Sequence, residues 1–306
     1  MNQKYRLDIV GGKFRLPSID QDCLTVLTYC TLAGIQLEIN TISPFQSKSP
    51  SLHIDNQIVF GADKIIEYLE SVFYNSDMSK NSAQHKFQFK SYQNYLKVKL
   101  EPCLQYLFWY DEQNYNENIG SWIAEKCSFP FNLIAPRMIR KSSINQLMKC
   151  FPIKVLEDAN QIKVIEKKVI ANAIECIQML TIALGDNLYL LGEKPSKIDS
   201  YLFSYLAMLY ELPVKKEIIK SQIRLSPNLK QFVERILQKF PIELKSLVSN
   251  DQDANQDTSG LVNWFDVFFS GSIAGLLMIY FAFASGLIKP ESYEEDDEDD
   301  REENDK

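Results

Sequence analysis

The chain has 306 residues, 45% hydrophobic and 12% aromatic, enough to bury the core of one or two domains. Its net charge of −7 sits at one end: residues 289–306 carry eleven Asp/Glu against three Lys/Arg, leaving the rest at +1, which argues against non-specific nucleic-acid binding. Six cysteines (Cys23, Cys30, Cys103, Cys127, Cys150, Cys176) without CxxC spacing, and only two histidines, His53 and His85, argue against a disulfide scaffold, a zinc site and a His-based triad.

In chain order, Tyr5–Val10 alternates as a strand does. A helix over Asp22–Ala33 follows, capped by Ser18 or Asp20 and stopped by Gly34. Leu37–Ile42 reads as a second strand. Residues 50–54 and 57–60, around the Asp55-Asn56 turn, read as a hairpin. Asp63–Phe73 places Ile65, Ile66, Leu69 and Phe73 on one helical face, completing βαβββα. Helical patterns take over from residue 80: an aromatic-rich run over Phe87–Leu107, an amphipathic helix from Ile162 to Gly185, an almost wholly apolar Ser200–Tyr210, and a closing helix over Leu225–Phe240. Several of the cysteines fall on apolar helical patterns, and they read as reduced core residues. The expected division is residues 1–76, 80–245, a polar linker 246–263, an anchor 264–288 and an acidic disordered tail 289–306.

Val267–Ile288 is 22 residues without a charge. As a helix it is roughly 33 Å long, against about 30 Å of bilayer hydrocarbon, and it is expected to span a membrane once. Gly271 and Gly275 form a small-xxx-small pair suited to close helix packing. With only 18 residues after the span and no N-terminal targeting pattern, the chain reads as tail-anchored. The acidic tail reads as a solvated end or as a surface for basic partners.

A small βαβββα unit followed by an all-helical one resembles the glutathione transferases. Pro50-x-Leu52 stands before the third strand, where that fold places a proline, often cis. Ser196-x-x-Asp199 stands at the head of the buried helix and reads as a capping box. The resemblance implies an α+β, glutathione-transferase-like fold: a thioredoxin-like N-terminal domain, a helical domain and, here, one C-terminal transmembrane helix. Such transferases hold glutathione with a Glu-Ser pair at the start of the helix that carries Ile65, Tyr68 and Leu69. Gly61-Ala62 occupies that place and offers neither carboxylate nor hydroxyl. The nearest catalytic candidates are Tyr5, which begins a strand, Ser18, which reads as a cap, and Cys23, which lies within a helix. No catalytic, cofactor-binding or metal-binding residue is therefore expected.

Leu16-Pro17-Ser18-Ile19-Asp20, Phe108-Trp109-x-Asp111-x-x-Asn114-Tyr115, Phe129-Pro130-Phe131-Asn132 and the run Lys197–Leu206 narrow the resemblance to the metaxins over roughly residues 4–240. That resemblance implies a single-pass protein of the mitochondrial outer membrane, its body in the cytosol and its acidic tail in the intermembrane space. It further implies a role in the sorting and assembly machinery for β-barrel proteins. The partners it implies are a second metaxin-like subunit and the barrel-assembly subunit, with motor-protein transport or a membrane-tethered transferase as other roles. Trp109, Tyr110, Asp111 and Tyr115, presented by a loop, are the expected docking residues, unless the two aromatic rings of Trp109 and Tyr115 fill the gap between domains.

Overall fold

A computed structural model of the chain describes residues 5–44, 49–55, 57–73, 83–149, 159–214, 217–241, 244, 272, 275–278, 280, 281 and 285. Met1–Asn255 forms one compact unit and Gln256–Lys306 a second.

The first unit begins with β1 (Tyr5–Val10), α1 (Gln21–Ala33), β2 (Glu38–Ile42), β3 (Ser51–Ile54), β4 (Gln57–Phe60) and α2 (Ala62–Val72). The strands form one mixed sheet in the order β2-β1-β3-β4, with β1 parallel to β2 and antiparallel to β3. Alternation decides its faces. Leu7, Ile9 and Leu52 are fully buried. The intervening Asp8 accepts from His53 Nε2 at 2.8 Å, Asn40 Nδ2 at 3.0 Å and Arg6 Nε at 3.1 Å. Asp20 caps α1, its Oδ1 taking the Cys23 N–H at 2.9 Å, while Ser18 Oγ accepts from the Asp20 N–H. Gly34, at φ 71°, closes the helix.

The helical part runs α3 (Ala83–Lys99), α4 (Glu101–Gln105), α5 (Glu112–Asn114), α6 (Gly120–Glu125), α7 (Phe131–Lys149), α8 (Ala159–Leu184), α9 (Lys197–Glu211), α10 (Ile218–Arg224) and α11 (Pro227–Lys239). The aromatic run expected as one helix over Phe87–Leu107 is broken after α3. Pro102, in the first turn of α4, has no N–H to continue the helical ladder. Two π-helical turns then follow, Tyr106–Tyr110 and Tyr115–Ile119. Helices α7 and α10 were not anticipated as separate elements.

At the centre lies α9, buried from Ile198 to Leu209. It packs against α1, and the two are joined by a hydrogen bond from Thr25 Oγ1 to Ser204 Oγ at 2.8 Å. Hydroxyl-bearing and small residues on both helices let them approach and still satisfy their polar groups. Among the described residues no helix is long and apolar enough to cross a membrane. The segment 267–288 lies largely outside the described residues. Of its members, Leu276, Leu277, Met278, Tyr280 and Phe281 are exposed.

Candidate functional site

A cleft of about 770 Å³ opens between the sheet-bearing part and the helices. Its charged lining comes from the N-terminal turns of α1 (Asp20, Asp22) and α2 (Asp63, Lys64), from Lys90 and Lys97 of α3, and from Glu101. Its apolar lining comes from Leu104, Phe108, Trp109, Ile139 and Met208.

Two backbone features place the lining. Between β1 and α1, Phe14 and Arg15 both take positive φ, 54° and 65°, in a turn closed by the Leu16 N–H on the Lys13 carbonyl at 3.0 Å. This delivers Ile19, Asp20 and Asp22 to the cleft. Between β2 and β3, the Ser49–Pro50 bond is cis, and the Pro50 carbonyl accepts from Gly61 N–H at 3.0 Å. Gly61 and Ala62 line the cleft and begin α2 with no side-chain cap. Neither residue has a carboxylate or a hydroxyl in its side chain.

Neighbouring groups are occupied with one another. Tyr201 donates its hydroxyl to Asp63, which also accepts from Gln93 Nε2 at 2.9 Å. Tyr205 donates to Glu101 at 3.4 Å. Burial first, then these carboxylates, holds both phenols well above their ordinary range. Neither phenol is poised to supply a phenolate. Ser18 is wholly buried. Burial and the Asp20 charge push the Cys23 thiol up, and burial pushes Cys103 up to about 12, so neither supplies a thiolate near neutrality.

Desolvation by the cleft walls, then the charges of Asp20, Asp63 and Glu101, push the Asp22 carboxyl up to about 7, with Lys97 opposing. The folded chain thus keeps a proton on Asp22 that the unfolded chain releases above about pH 4. Stability therefore falls as pH rises between about 4 and 7. The Asp22 side chain remains open to water, so screening holds the effect to about 1 kcal/mol. Asp22→Asn is expected to raise stability by that amount at pH 8 and to leave it unchanged at pH 4, measured by urea unfolding at both. Equal effects at the two pH values would refute the carboxylate cluster as its cause.

Trp109 and Tyr110 are half-buried on the first π-helical turn and pack against the core. Asp111 caps α5, its Oδ1 taking Asn114 N–H at 2.9 Å. Tyr115 is buried, 6% exposed, and does not belong to the surface. Its hydroxyl donates to the Pro136 carbonyl at 2.7 Å, and the Arg140 guanidinium lies 4.3 Å from its ring centre. Trp109, Tyr110 and Tyr115 are therefore set on helical turns, with Asp111 as the single extended residue that breaks them. Ser196 and Asp199 form a reciprocal capping box at the head of α9. Gly271 lies outside the described residues; Gly275 has open space beside it. Asp22, Asp63, Glu101, Tyr201 and Tyr205 were not anticipated as cleft residues. Only the position of Asp63 directly after Gly61-Ala62 hinted at one of them.

Residues 23–140 match the family described as outer mitochondrial membrane transport complex protein, and residues 173–236 match the glutathione S-transferase C-terminal domain. The chain is 31% identical over 235 residues to metaxin-1 of Mus musculus, covering 75% of this chain and 73% of that protein. It is 27% identical over 234 residues to metaxin-3 of Danio rerio, covering 75% and 74% respectively. Among solved structures, the β-etherase LigF of Sphingobium sp. strain SYK-6 shares the fold, with a TM-score of 0.52 at 17% identity over 80% of this chain and 98% of that one.

Proposed function

This chain belongs to the metaxin family, and from that premise we propose that it is a non-enzymatic subunit of the mitochondrial outer-membrane sorting and assembly machinery. On this reading its glutathione-transferase-like body docks partners in the cytosol and aids insertion of β-barrel proteins. Its partners are a second metaxin-like chain and the barrel-assembly subunit. The observation that carries the non-enzymatic part is the start of α2: Gly61 and Ala62 line the cleft with no side chain able to hold glutathione. Trp109 and Tyr110, half-exposed beside Arg140, remain the candidate docking residues, with Asp111 and Tyr115 supporting them from within.

We assign residues 267–288 as the single-span anchor, which leaves the acidic residues 289–306 in the intermembrane space. The length and apolarity of that segment support this, as do the exposed Leu276, Leu277, Met278 and Phe281. Gly271 and Gly275 would give the span a face for helix packing.

Affinity purification of the full chain from mild-detergent mitochondrial membranes tests the proposal. The expected result is co-purification of a barrel-assembly subunit and a second metaxin-like chain, both lost when residues 267–306 are deleted. Glutathione-agarose is expected not to retain the protein. Retention together with turnover of a model electrophile would overturn the non-enzymatic reading. Recovery of the protein from endoplasmic reticulum without those partners would overturn the assembly role.

A further inference from the structure

Helix α7 has two contrasting sides. One packs on the helical body: Ala135 and Leu147 are buried, and Arg140 donates through Nε to the Trp109 carbonyl at 3.0 Å. The other side faces water. At about 100° per residue, Leu133, Ile134, Arg137, Met138 and Lys141 project within an arc of roughly 140°, and all five are exposed. Leu133 is 64% exposed, Ile134 51% and Met138 54%, and Phe129 just ahead of the helix is 62% exposed. These four lie in one ten-residue stretch, so their exposure forms a patch, not the scatter normal for a soluble surface.

The charge of the helix is equally one-sided. Phe131–Lys149 contains Arg137, Arg140, Lys141 and Lys149 and no Asp or Glu, whereas residues 1–288 as a whole are close to balanced at +1. An exposed helical arc that combines apolar side chains with cations and lacks carboxylates matches the boundary of an anionic bilayer. There the apolar groups enter the headgroup–acyl region while Arg and Lys meet lipid phosphates.

We propose that the exposed arc of α7 is a membrane-contact face, seating the body on an anionic phospholipid surface. The inference rests in part on the anchor reading. Only the eighteen residues of the polar linker 246–263 separate the body from that anchor in the sequence. A body tethered through that linker stays close enough to the bilayer for a second, weaker contact to form.

The test uses the full chain with the photoreactive amino acid benzoylphenylalanine in place of Leu133. The protein is reconstituted into vesicles of phosphatidylcholine alone or of phosphatidylcholine with phosphatidylinositol, each with radiolabelled lipid. A lipid adduct is expected with the anionic vesicles. The double variant Arg137→Gln/Lys141→Gln is expected to lower the docked population on the order of 30-fold. No adduct, or an adduct equally strong on neutral vesicles or in the double variant, overturns the proposal. A protein adduct replacing the lipid adduct in isolated outer membranes also overturns it, in favour of a protein partner. Alkaline extraction separates this contact from the anchor. A chain that resists alkali yet gives no adduct loses the α7 contact alone. A chain stripped by alkali that still gave the adduct keeps that contact and loses the anchor.

Discussion

Asp199→Ala is expected to destabilise the body by about 3–5 kcal/mol, among the largest effects available to a single substitution here. The carboxylate is wholly buried and serves three donors: Ser196 N–H at 2.8 Å, Ser196 Oγ–H at 2.6 Å and Leu190 N–H at 2.8 Å. Burial raises its pKa, while these hydrogen bonds oppose the rise. Alanine removes the acceptor and strands the donors. The stranded backbone groups each cost about 1–3 kcal/mol, and loss of the cap adds about 1. At about 2–4 °C per kcal/mol for a body of this size, the melting temperature should fall by roughly 10 °C. Ser196→Ala removes one hydroxyl and leaves the carboxylate with both N–H groups, so it should cost only about 1 kcal/mol. Thermal unfolding of the two variants side by side checks the argument. Equal losses would mean that the hydroxyl, not the carboxylate, organises the start of α9.

Gly12→Ala is expected to cost at least about 3 kcal/mol, whereas Gly11→Ala should cost under about 1. The difference is steric. A Cβ on Gly12 would stand 2.1 Å from the Leu16 carbonyl oxygen and 2.7 Å from the Pro17 carbonyl carbon, both rigid backbone. Nothing lies within 4 Å of a Cβ on Gly11. The turn that returns over Gly12 is already held at Phe14 and Arg15 in the left-handed region, so it has little freedom to move aside. Urea unfolding of the pair separates this clash from a general intolerance of the segment. Comparable losses at both positions would refute it.

The sheet-then-helices plan was readable because its signals are local. Alternation in β1, the Gly34 stop and the Asp55 turn each act within a few residues. The core helix α9 announced itself through the apolar run from Tyr201 to Met208 behind Ser196-x-x-Asp199. Helix α7 escaped because Pro136 and the exposed Leu133, Ile134 and Met138 blur its period. The π-helical turns escaped because each inserts one residue into the helical repeat, so the aromatic run Tyr106–Tyr110 no longer follows a 3.6-residue spacing. Tyr115, which the sequence leaves open as a docking residue or as filler between domains, is buried. The cleft could not be read as a unit. Its lining is drawn from the starts of α1 and α2, from α3 and α4, from the first π-helical turn, from α7 and from α9, elements that only tertiary packing brings together. The missing Glu-Ser pair at Gly61-Ala62 was visible; the carboxylates and phenols gathered beside it were not.

The hydrogen bond between Thr25 and Ser204 joins residues 179 positions apart, and that separation is also a delay. At about 5–20 residues per second, a ribosome needs roughly 10–35 s to make the stretch between them. Throughout that interval α1 has been synthesised but α9 has not, and the apolar side that α1 will turn towards α9 has no native cover. The nascent N-terminal part is therefore a client for any factor that shields apolar surface until α9 leaves the ribosome.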